Sequence, residues 1–88
     1  MTENLLTGKE YEVSRLCLFL FDSWCERRSI VPLAYLMHAW PVLIMDQSGV
    51  GRLVSVLREL QAFHPDALTQ DERVAIEDVM SISVELDL

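Results

Sequence analysis

Apolar residues recur along this chain at intervals of three and four, in four stretches set apart by prolines and glycine-containing turns. At about 100° per residue this spacing predicts four amphipathic helices, near 8–28, 32–40, 49–63 and 70–87, and no strand pairs. Four such helices on short connections are expected to pack as one all-α domain, a compact four-helix bundle-like unit spanning 1–88.

In the first stretch Val13, Cys17, Leu20, Phe21 and Trp24 share a face with Leu16 at its edge, while Glu12, Arg15, Asp22 and Glu26 lie opposite. Phe19 falls among those polar residues, and Tyr11, Leu18 and Cys25 flank the stripe, so the helix is apolar over more than half its circumference. Thr7 and Glu10 have capping-box spacing. In the second stretch Pro32 suits a first helical turn, and Val31 before it is expected to be extended. Leu33, Leu36, Met37 and Trp40 share a face, Tyr35 and His38 point elsewhere, and Pro41 stops the helix near Trp40.

An apolar connector, Pro41 to Met45, leads to a turn with Ser48 as the expected N-cap of the third helix. Its stripe is Val50, Leu53, Val54, Leu57 and Leu60, and His64-Pro65 ends it. Thr69 and Glu72 form a second capping-box pair at the start of the fourth helix, whose acidic first turn complements the helix dipole. Ala75, Ile76, Val79, Met80, Ile82 and Leu86 make its core face. Asp71, Asp78 and Glu85 recur every seven residues in an outward column, with Glu77 beside it.

Composition adds two constraints. At 51% hydrophobic and 24% charged, the chain is globular in character, with room for one modest core. Its longest apolar run, Leu16 to Phe21, is far short of the ~20 residues of a membrane span, and a soluble cytoplasmic protein is expected. Cys17 and Cys25 stand about 12 Å apart along one helix, too far to pair, which suits a reducing compartment. The net charge of −7 is uneven: residues 66–88 carry seven acids and one base. Such a field disfavours nucleic acid and anionic membranes and favours a basic protein partner.

Candidate chemistry is sparse. The glycines of Gly49–Gly51 could expose backbone amides to an anion, but lack any phosphate-binding fingerprint. Cys25 and His38 make the one conceivable nucleophile–base pair, and Cys25 is spaced like a small buried flank of the core. Asp22 and Glu26 read as a solvated salt-bridge face rather than a metal site. No enzyme, cofactor or metal is expected. Within Trp24 to Pro41, both tryptophans read as core, whereas Arg27 and Arg28 suit capping of the first helix. Tyr35, His38 and Phe19 are of types found in contact surfaces. The expected partner-binding residues are Phe19, Tyr35, His38, Asp71, Glu77, Asp78 and Glu85. The leading expectation is a small acidic protein-binding module, of inhibitor or immunity type, that neutralises a basic partner such as a toxin nuclease. The alternative is a non-catalytic homo-oligomeric subunit, for instance a homodimer, using the broad apolar surface of the first helix.

Overall fold

Four helices form where the periodicity places them. The computed structural model describes residues 8–40 and 47–86. They contain α1 (Gly8–Glu26), α2 (Ile30–Met37), α3 (Gln47–Phe63) and α4 (Gln70–Leu86), with a short 3-10 turn at Pro65–Ala67. The described residues include no strand, and the domain is all-α and bundle-like. Each helix packs on its neighbour in the chain, and α4 packs back on α1. The helices therefore close a ring in sequence order, with α2 diagonal to α4.

The core is the set of predicted stripes. Val13, Cys17, Leu20 and Trp24 of α1 meet Val50, Leu53, Val54, Leu57 and Leu60 of α3, with Leu36 of α2 and Ala75, Ile76 and Val79 of α4. Fully buried leucines and isoleucines such as Leu20, Leu57 and Ile76 each contribute roughly 1.5–3 kcal/mol through the water-exposed area they lose. Phe21 and Trp40 are partly buried against this core, their rings tilted at 45° with centroids 5.8 Å apart, and so fasten α2 to α1.

Helix ends depart from expectation for local reasons. α1 stops at Glu26, not Arg28. Arg28 adopts φ 55°, its N–H bonds Cys25 O at 3.2 Å, and the Ser29 N–H bonds Trp24 O at 2.8 Å. That pair of bonds is a Schellman motif, built here without glycine. Val31 is helical rather than extended, because α2 starts at Ile30 and Pro32 is its third residue. The first bond that the helix needs, Leu33 N–H to Ser29 O at 3.2 Å, already lies beyond the proline, so the missing N–H costs nothing.

α2 also ends early, at Met37. His38 N–H bonds Tyr35 O at 3.2 Å and Ala39 N–H bonds Leu36 O at 3.0 Å, a tightening ahead of Trp40, which Pro41 disfavours as helix. Met37 then points outward, 60% exposed, instead of joining the core face. α3 begins at Gln47, so Ser48 is inside the first turn and is not its N-cap. Cys25 is exposed rather than a buried flank; only Cys17 is buried. Thr7, the connector at 41–45, and the side chains of Glu85 and Leu86 lie outside the described residues. Among the described residues no helix is long and apolar enough to cross a membrane.

Candidate functional site

The start of α4 is fixed first. The Thr69 N–H donates to Glu72 Oε1 at 3.0 Å and the Glu72 N–H donates to Thr69 Oγ1 at 3.2 Å, which completes the predicted capping box. The Glu72 side chain is fully buried. Arg27 reaches it from the end of α1 with two nitrogens, Nε to Oε2 at 3.1 Å and Nη2 to Oε1 at 2.7 Å. Ser23 Oγ donates to the same carboxylate. Arg27 Nη2 also donates to Ala67 O at 3.0 Å, and Arg73 Nη2 donates to Pro65 O at 2.8 Å, so two guanidinium groups brace the turn before α4.

Burial raises the Glu72 pKa, but donors from Ser23, Thr69, Arg27 and, least of all, Trp24 outweigh it and hold the carboxyl below the ordinary glutamate range. The Trp24 indole nitrogen is itself buried without a hydrogen bond of normal geometry. Arg27 therefore does more than complement the α1 dipole: it locks α1 to α4.

With Glu72 neutralised internally, the remaining acids of α4 define an outer face. Asp71, Glu77 and Asp78 are exposed and make no ion pair among the described residues. Arg73, the base within this segment, is committed to Pro65 O. Val74 and Val84 are exposed on the same face, at 45% and 64%. Sequence reading missed these two valines. Their signal was spacing: Val74, Glu77, Asp78, Ser81 and Val84 fall three or four residues apart, in register with the acids rather than with the core stripe.

The other expected contact residues divide between two regions. Phe19 is 44% exposed on α1. It lies roughly 40° around that helix from Ser23, hence on the flank towards α4. Phe21, on the opposite flank, meets Trp40. Tyr35 and His38 instead line a groove of about 580 Å³ between α2 and α3, with Ile30, Val31, Ala34, Arg52, Val56 and Glu59. The Tyr35 ring also meets His64 edge-on at 5.5 Å, tying α2 to the end of α3. The structure thus places Phe19 on the α1 flank towards α4 and sets Tyr35 and His38 apart, in the α2–α3 groove. Glu85 belongs to α4 by its backbone alone.

No hydrogen bond joins Cys25 to His38, and Cys25 is not among the groove residues. The described residues contain no group of three His, Cys, Asp or Glu side chains that could hold a metal ion. Gly49 is the third residue of α3 and Gly51 the fifth, so the two glycines belong to the opening turns of the helix. Arg15 pairs with Glu12 on the exposed side of α1, leaving Asp22 and Glu26 as solvated charges. No protein-family model matches the chain, and no curated protein or solved structure matches it.

Proposed function

We propose that this protein is a binding module whose outer α4 face recognises a basic protein surface. The observation that carries the reading is the unpaired acidic set Asp71, Glu77 and Asp78, interleaved with the exposed Val74 and Val84. Carboxylates without internal partners project a field that speeds encounter with a cationic patch. The two valines supply the apolar contact that a purely charged surface lacks. Phe19, on the α1 flank towards α4, extends that contact.

The partner class that fits is an enzyme with a cationic, phosphate-binding active site, such as a toxin nuclease. An acidic helix presents to that site the charge it evolved to hold, and the bundle behind it blocks entry. In this reading the protein is an inhibitor of immunity type and needs no catalytic group of its own.

The test is capture of partners by the tagged wild-type chain and by a D71K/E77K/D78K variant, each at low and high salt. A basic protein retained by the wild type, released by salt and lost from the variant is the expected result, followed by slowed association in a binding-kinetics assay. Equal recovery by both proteins, or recovery insensitive to salt, would remove the electrostatic basis of the reading.

A further inference from the structure

A second surface is independent of the acidic face. α2, with the sequence IVPLAYLM, carries no charged residue, yet only Pro32 and Leu36 are buried. A helix apolar on all sides normally sits inside a protein. Here Ile30 is 73% exposed, and Val31 and Met37 are exposed beside it. Part of that surface forms one wall of the α2–α3 groove, and Val56, Arg52 and Glu59 of α3 form the other.

The charges of the groove indicate its occupant. Arg52 and Glu59 are seven residues apart on one side of α3, with Val56 between them, and both are exposed. Seven residues span about 10 Å along the axis, and neither side chain has an ion-pair partner among the described residues. This is a self-complementary pattern. If two α3 helices meet antiparallel about a two-fold axis near Val56, Arg52 of each copy faces Glu59 of the other, and the apolar residues of α2 close over the flanks. Isologous contacts require such a pattern, in which each patch carries both halves of every pair.

The groove charges also cancel, so two copies can approach there despite a net charge of −7 each. The acidic excess resides on α4, diagonal to α2 in the ring. A basic partner is drawn to that face and not to this one.

We infer that the α2–α3 groove is the interface of a symmetric homodimer of this chain, with the Ile30–Val31–Ala34 surface buried and Arg52 paired to Glu59 across the two-fold axis. The dimer would carry two acidic α4 faces directed away from the shared groove.

The test is sedimentation equilibrium of the full chain from low to high micromolar concentration, with circular dichroism to confirm helicity. The wild type dimerises. I30D and A34R, both at exposed positions, weaken association by roughly tenfold or more through loss of apolar contact and burial of charge. R52E alone and E59R alone each weaken it by a similar factor, since each sets like charges against one another. An equimolar mixture of R52E and E59R recovers association as a heterodimer, because each acidic pair then meets a basic one. A wild type that stays monomeric at high micromolar concentration overturns the inference. So does a dimer indifferent to both I30D and A34R, or a mixture that associates no better than its components. D71K/E77K/D78K leaves dimerisation intact, so failure here and failure of the α4 reading are told apart.

Discussion

Arg27, at the end of α1, holds Glu72, in the first turn of α4, through two guanidinium nitrogens at 3.1 and 2.7 Å. The carboxylate is fully buried while the arginine side chain remains 40% exposed. One carboxylate thus caps its own helix, accepts from Ser23, and anchors the helix across the bundle. Losing the arginine leaves a buried charge with only neutral donors.

R27A is expected to cost about 2–3 kcal/mol, at the low end for a broken buried pair because water reaches the arginine side. E72Q keeps the shape and loses the charge. Glu72 has a folded pKa below its unfolded value, so its contribution is present above the ordinary glutamate range and fades as pH falls through the depressed folded pKa. Urea denaturation across that range should therefore show the gap between wild type and E72Q narrowing with acid. A gap that stays constant would mean that the carboxylate charge does not stabilise the fold.

Arg28 occupies the left-handed region that its Schellman motif requires, at φ 55°. A residue with a Cβ incurs roughly 1–2 kcal/mol there, and glycine avoids most of it at the cost of extra freedom when unfolded. R28G is expected to raise stability by about 1 kcal/mol, seen as a higher denaturant midpoint at unchanged slope. R28A keeps the Cβ and should leave the midpoint nearly where it is.

Gly51 lies inside α3, and a Cβ built on it meets nothing within 4 Å. Glycine in a helix interior costs roughly 0.8–1 kcal/mol relative to alanine. G51A should therefore stabilise the protein by about that amount in thermal or urea unfolding, and its effect should add to that of R28G in the double variant if the two sites are independent.

The cysteines should behave differently towards a thiol reagent. Cys17 is buried, and burial pushes its thiol up to about 12, so the reactive thiolate is scarce in the native state. Cys25 is exposed. One thiol per chain is expected to react in buffer and two in denaturant, and C25S should abolish the native reaction. Two fast equivalents in buffer would show that the core around Cys17 opens readily.

The stripe of α3 was legible because Val50, Leu53, Val54, Leu57 and Leu60 sit at helical spacing and all become buried. The Thr69–Glu72 cap was legible for the same local reason. Its second role was not, since nothing in a four-residue motif points to an arginine 45 positions earlier. Met37 was misplaced because α2 is short and buries only Pro32 and Leu36, leaving no room for a wider stripe. Cys25 was misplaced because, eight residues on from Cys17, it lies about 80° around α1 from that buried residue and outside the covered stripe. For the candidate surface, the charge column was readable, whereas the separation of Tyr35 and His38 from it depended on ring order, which periodicity does not encode.

The closed ring has a consequence for how fast the chain folds. Three of its helix contacts join neighbours in sequence, and these need only short loops to form. The contact of α1 with α4 must bring together residues as distant as Arg27 and Glu72, and the entropy of closing that loop is the larger toll. Weakening this junction should slow refolding if the ends meet in the transition state, and hasten unfolding if they meet after it. The refolding and unfolding rates of R27A would therefore date the joining of the first and last helices within the folding reaction.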